Sequence, residues 1–208
     1  MFDIRPVKLS EVEHLFQKYH PYKGAGAVFS HIFAAFEDDK IVAAFAWKPP
    51  PPGAAKDVFP EAPQCVLSLA RMVAVPKTER RMKHISKPLR QIMKQHLDRV
   101  RWPVLISYHD EALHTGHTYA CAGWTKTSRK FSNKYLDESG ARSSIYKAGR
   151  TTTEGLTKVE GSYIQRWEHW SCSKLEALDL FNTRWNRVAL PGTWRSGQPK
   201  GAWVPRGL

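Results

Sequence analysis

Apolar residues recur along this chain at two spacings, and the switches between them mark out its elements. Phe2 to Val7 reads as a first strand, and Ser10 with Glu13 has the spacing of a capping box that opens a helix. Val12, Leu15, Phe16 and Tyr19 fall on one face of that helix, which Pro21 ends. His20 to Phe29 carries glycines and reads as a loop. Residues 31–48 hold two apolar runs about a turn at Glu37 to Lys40, the signature of a hairpin. Pro49 to Pro63 is too rich in proline to pair inside a sheet and is expected as an extended surface loop. Cys65 to Val75 follows as a long, mostly apolar strand interrupted by Ser68 and Arg71 and ended by Pro76. Ile85, Leu89, Ile92, Met93, Leu97 and Val100 form a helical stripe. Pro88 is tolerated only in a first turn, so the N-cap falls at Ser86 and residues 77–85 form a basic loop.

Val104 to Ile106 is short, aliphatic and bounded by Pro103, as expected of a strand buried on both faces by a parallel neighbour. A small-residue helix then runs up to Trp124, with further strands at Thr125 to Arg129 and Ser143 to Lys147. From Thr151 the character changes. Trp167, Trp170, Trp185, Trp194 and Trp203 are interleaved with Arg166, Arg184, Arg187, Arg195, Lys200 and Arg206; Lys174 to Phe181 is the one helical stretch, and the last residues are rich in turns. The elements predict an α/β fold (α+β in its segregation), a mixed central sheet flanked by helices. Residues 1–150 would form the domain, and 151–208 a basic, tryptophan-rich C-terminal extension packed on it.

At 208 residues, 42% hydrophobic and 25% charged, the chain has enough apolar material for one full core and too little polar bias for disorder. A formal charge of +13 adds a partner: basic groups gain free energy beside phosphates by releasing condensed counterions, so nucleic acid is the expected polyanion. Arg71, Arg80, Arg81, Lys83 and Lys87 surround the start of the basic helix and suit phosphate contacts, although Arg71 could equally face solvent at a sheet edge. Trp194, Arg195 and Trp203 combine stacking faces with cations. Trp167 and Trp170 could serve the same end or close the core. Cys65, Cys121 and Cys172 are odd in number and far apart, which suggests neither a disulfide framework nor a zinc ribbon and fits a reducing cytoplasm. The first residues lack the apolar stretch of a signal peptide, and no run approaches the roughly 18 apolar residues of a membrane span.

Chemistry concentrates in Ile106 to Trp124, ISYHDEALHTGHTYACAGW. Ser107, Tyr108, His109, Asp110, His114, His117 and Tyr119 crowd the carboxyl end of a strand, where open α/β sheets bind ligands. Tyr119, followed four residues later by Gly123 and Trp124, resembles the end of the fourth helix in GNAT-type acyltransferases. The longer pattern is Ser107-Tyr108-x-Asp110, then His114-Thr115-Gly116, then Tyr119 and Gly123-Trp124. It resembles the phage Mom proteins, which carbamoylmethylate adenine in DNA. Leu67, Ser68 and Arg71 of the long strand resemble a further Mom block, and His20, Tyr22 and Gly24 of the first loop resemble its His-Tyr pair and glycine, with Pro21 inserted between the pair.

That resemblance implies a GNAT-like sheet and a transferase that modifies adenine in double-stranded DNA, protecting phage DNA from restriction in the host cytoplasm. Asp110 would be the base or the acceptor for adenine N6, Tyr119 the acid for the leaving group, with His20, Ser107 and Tyr108 around them. His20, Asp110 and Tyr119 could instead hold a metal, with iron the implied ion. The target base must leave the duplex to reach such a site, and Tyr22, Tyr108 or a tail tryptophan could stack on it. GNAT enzymes grip the pyrophosphate of acetyl-CoA with a glycine-rich loop at a helix N-terminus. The corresponding PKTERRMKHISKPL holds no glycine, which disfavours acetyl-CoA and leaves the donor open. The alternatives are an ordinary GNAT N-acetyltransferase of a small amine or protein, and a DNA-binding protein on a GNAT scaffold without catalysis. Asp110 could also be simply the N-cap of the next helix.

Overall fold

A computed structural model describes residues 2–20, 28–76, 84–136, 142–143, 146–147, 150–151, 153 and 155–185. The chain opens with strand β1 (Asp3–Pro6) and helix α1 (Leu9–Tyr19). The helix starts one residue before the predicted cap: Glu11, not Glu13, reaches back to accept from the Lys8 amide at 2.6 Å, so Ser10 lies inside the first turn. The hairpin forms as expected from β2 (His31–Glu37) and β3 (Lys40–Lys48). Its turn residues Asp38 and Asp39 sit at φ of 50° and 55°, the left-handed pair that matches a two-residue turn to the twist of the strands.

The proline segment differs from its expectation. Pro52 occupies the first turn of a helix, α2 (Pro52–Val58), where its missing N–H costs nothing, and a 3-10 turn at Pro63–Cys65 follows. Ala55, Val58, Phe59 and Ala62 from this stretch are buried against Val66, Val104 and Ile106, so it covers the sheet rather than hanging from it.

Strand β4 (Val66–Ala74) leads to α3 (Ser86–Gln95), capped at Ile85 instead of Ser86, and then to β5 (Val104–Asp110), four residues longer than predicted. A short α4 (His117–Cys121) and β6 (Thr125–Leu136) follow. The predicted strand at Ser143 to Lys147 is split: β7 (Arg142–Ser143) pairs with β6, while β8 (Tyr146–Lys147) pairs with β9 (Arg150–Thr151). The last strand is β10 (Thr157–Trp170), followed by α5 (Lys174–Leu180).

The main sheet runs β1-β2-β3-β4-β5-β10-β6-β7. Its pairs are antiparallel except β4 with β5. A boundary at residue 150 therefore does not hold. Strand β10 lies between β5 and β6 in the middle of the sheet, and Trp167 and Trp170 belong to the packing: Trp167 is 2% exposed, and Trp170 lies against Phe59. Trp194 and Trp203 fall outside the described residues.

Side-chain alternation divides the core in two. Phe45, Trp47, Leu67, Leu69 and Leu105 face α3 and α4 with Leu89 and Ile92, while Ala44, Ala46 and Val73 face α1. Val104 and Ile106 share that second face and pack on α2 and α5. Each fully buried large side chain, such as Phe45 or Leu67, contributes about 1.5–3 kcal/mol.

Two departures from regularity shape the site. Trp47 pairs with Leu69 and Ala46 with Arg71, leaving Ala70 as an extra residue that kinks β4. The parallel pairing of β4 with β5 stops at the same point, Leu69 opposite Ser107. Beyond it β4 stays with β3 and β5 with β10, so the two strands part.

Candidate active site where two parallel strands part

Ser107 is the last β5 residue paired with β4, and its side chain is 1% exposed. Its hydroxyl donates to the Leu69 carbonyl at 3.0 Å and lies 2.9 Å from the Tyr119 hydroxyl. A serine carries one proton, and that proton is given to Leu69, so Tyr119 donates to Ser107 in the resting arrangement. Tyr119 is delivered by α4. Gly116 sits before the helix at φ 75°, and Tyr119 closes the first turn with its amide on the Gly116 carbonyl. Burial pushes the Tyr119 phenol above its ordinary value, with the Ser107 hydroxyl offsetting part of this. The residue is thus held as a neutral phenol with a proton to give.

Aromatic rings hold this phenol in place. Tyr119 stacks on Trp167 at 5.5 Å and 22° and meets Trp124 edge-on at 5.6 Å. The Trp167 indole donates to Nδ1 of His109 at 2.6 Å. That bond uses the imidazole lone pair, so neutral His109 carries its proton on Nε2. Burial lowers the His109 pKa, with the nearby Glu111 carboxylate opposing, and a second proton on Nδ1 would collide with the indole N–H. His109 is therefore a neutral donor, not a ready base.

Gly116 is required twice. Its φ is one that L side chains avoid, and a Cβ there would lie 2.5 Å from the Trp167 ring and 2.8 Å from His109. Gly116→Ala is expected to cost upwards of about 2 kcal/mol, the left-handed strain of about 1–2 kcal/mol plus the clash, and thermal unfolding of the variant measures it.

Asp110 is placed otherwise than its sequence role requires. Alternation along β5 puts Ser107 and His109 on the face of α3 and α4, and Tyr108 and Asp110 on the other. The Asp110 carboxylate accepts from Ser162 at 2.5 Å and from the Ala112 amide at 3.0 Å, and it pairs with Lys134 at 2.9 Å. It caps a turn at the end of its strand rather than α4, and it joins β5, β10 and β6. Alternation along β5 thus sets its carboxylate on the opposite face from the Ser107 hydroxyl that meets Tyr119. His20 is the C-cap of α1, its amide bonded to the Phe16 carbonyl at 3.0 Å. Among the described residues no three of His, Cys, Asp and Glu cluster closely enough to hold an ion.

Tyr108 shares the Asp110 face, 41% exposed and hydrogen-bonded to Arg166, with burial raising its pKa. Arg166 in turn pairs with Glu168 at 3.0 Å. Arg71 lies just past the bulge with one guanidinium nitrogen on the Ala70 carbonyl at 3.0 Å, half-buried beside Lys48, whose pKa falls through burial first and the Arg71 charge second. Lys87 is exposed in the first turn of α3. Tyr22, Arg80, Arg81, Lys83, Trp194, Arg195 and Trp203 lie outside the described residues. Of the residues singled out from the sequence, Ser107 and Tyr119 come together. His109 and Trp167 complete their surroundings, and nothing in a local motif marks Trp167.

No protein-family profile matches the chain, and no curated protein matches it. Solved structures do. An agmatine N-acetyltransferase in a mutant apo form superposes with a TM-score of 0.51 at 12% identity, over 82% of this chain and 100% of that one. A polyamine N-acetyltransferase from Drosophila melanogaster gives 0.50 at 12% identity over 82% and 100%. An IAA acetyltransferase from Bacillus cereus gives 0.50 at 12% over 82% and 99%. At this identity the likeness is one of fold: the chain has the mixed sheet and flanking helices of the GNAT acetyltransferases.

Proposed function

We propose that this protein is a transferase that moves a small group from a donor onto an amine at the gap between β4 and β5. The observation that carries this is the buried Tyr119 hydroxyl, bonded to Ser107 at 2.9 Å where the parallel strands part. The amine attacks the donor as the bond to the leaving atom breaks, the Tyr119 hydroxyl protonates that atom as it departs, and the proton released by the amine passes to water, from which the Tyr119 phenolate is reprotonated. The neutral His109, fixed by Trp167, keeps an N–H donor on the same face. Asp110 acts at a distance by securing the end of β5 to β10 and β6.

The amine we assign is N6 of adenine in DNA, with modification serving to shield phage DNA from host restriction. The ordered block from Ser107 to Trp124 and its likeness to the Mom proteins support this, as does the charge of +13. The absence of glycine from the stretch before α3 argues against acetyl-CoA as donor. A second reading, N-acetylation of a small amine or protein, is favoured by the neighbours in fold, which are acetyltransferases of agmatine and polyamines. Plasmid DNA from cells expressing the protein, digested to nucleosides and weighed by mass spectrometry, decides between them. A deoxyadenosine heavier by a carbamoylmethyl group, absent with Tyr119→Phe, is the expected result. Unmodified adenine, together with saturable binding of acetyl-CoA by calorimetry, would replace it with the acetyltransferase reading.

A further inference from the structure

On the face of Tyr119 and Trp167, strand β10 continues outward to Tyr163, which pairs directly with Phe131 of β6. Both rings are open to solvent, 52% for Phe131 and 43% for Tyr163, and they meet edge-to-face at 5.4 Å. The Arg129 guanidinium lies over the Tyr163 ring at 3.6 Å and is gripped by both oxygens of Glu111. Phe131 is seated by a glycine: a Cβ at Gly161 would stand 2.5 Å from its ring. Two rings and a planar cation are thus fixed in one exposed shelf.

We infer that this shelf stacks an unpaired nucleobase of the DNA strand that carries the target adenine. The inference rests on DNA being the substrate. Rings and guanidinium planes stack on any base, and the arrangement is ordered before a ligand arrives, so little conformational entropy is lost on binding. The surrounding charge suits a phosphate backbone. Lys126 and Lys158 are exposed on the same two strands, against Glu111, which is already paired with Arg129, and Glu160. Tyr163 stands four residues from Trp167 on the same face, roughly 13 Å at about 3.3 Å per residue, so the base held is a near neighbour of the one modified. Stacking a flanking base also offsets the cost of extruding the target.

The test uses the full chain and a fluorescent, adenine-containing single-stranded oligodeoxynucleotide. Phe131→Leu with Tyr163→Leu keeps an apolar strand pair without rings, and affinity should fall roughly tenfold or more. Arg129→Lys keeps the charge but not the plane, so affinity should fall while its slope against salt stays unchanged. In both variants adenine modification should decline with binding, and melting curves should confirm the fold. Phe131→Tyr with Tyr163→Phe keeps both rings and should bind like wild type; if the leucine variant does not fold, this pair and Arg129→Lys carry the test. Wild-type affinity in both the leucine variant and Arg129→Lys would overturn the shelf and leave the DNA reading standing. No binding or modification of DNA by the wild-type protein would overturn both.

Discussion

Tyr119→Phe should abolish most of the transfer reaction while leaving the protein folded. A positioned proton donor contributes about 10²- to 10⁴-fold in rate, and the variant loses only that hydroxyl. Its ring can still stack on Trp167 and meet Trp124, and Ser107 keeps the Leu69 carbonyl as partner, so the stability cost is about 1 kcal/mol. The pH profile adds a check. Burial raises the Tyr119 pKa, so the donor stays protonated beyond the ordinary value of about 10, and the alkaline limb of the rate profile should lie above that value. Stability follows the same sign. Unfolded tyrosine ionises first as pH rises, so the contribution of the buried phenol is complete below about pH 10 and is lost as pH climbs through the higher folded value. A tyrosinate absorbance titration of folded and denatured protein measures the difference. An alkaline limb below pH 10 that Tyr119→Phe does not shift would remove the residue from the chemistry.

Asp110→Asn should act mainly on stability. The change leaves the Lys134 ammonium, whose side chain is 12% exposed, without its carboxylate, and weakens the acceptor of Ser162. Breaking one side of a buried pair costs about 3–5 kcal/mol, a large share of the about 5–15 kcal/mol that holds a domain together. Adding Lys134→Met removes the stranded charge and should restore much of the loss, a coupling that a double-mutant cycle in denaturant would measure. If Asp110→Asn were as stable as wild type and inactive, a chemical role for this carboxylate would return.

Ser107, Tyr119 and Asp110 show what the sequence could carry. Ser107 and Tyr119 were legible because a serine at a strand end and a tyrosine before Gly-Trp hold their places in a linear pattern. Asp110 was not, because its side follows from strand length. With β5 ended at Ile106, residues 107–110 form a loop whose side chains can converge; with β5 continued to Asp110, the period of two sends them to opposite faces. Strand β10 was hidden for a related reason. Its buried positions include the polar Ser162, Gln165 and Glu168, with partners on β5, on β6 and on β10 itself, so no apolar alternation announced it. The helix at Pro52 was masked by its neighbours, although proline at a first helical turn is favourable. The hairpin, α3 and the parallel strands were legible because each buries a regular apolar face.

Strand β10 also sets the order in which the protein can be completed. Strands β5 and β6 do not pair with each other; the strand that separates them arrives in the last quarter of the chain, and it brings both Trp167 for His109 and Ser162 for Asp110. A nascent chain on the ribosome therefore holds β5 with one edge bare until residue 170 has emerged. Until β10 closes the sheet, His109 lacks its indole partner and Asp110 its serine, so the surroundings of Tyr119 are assembled only late in synthesis.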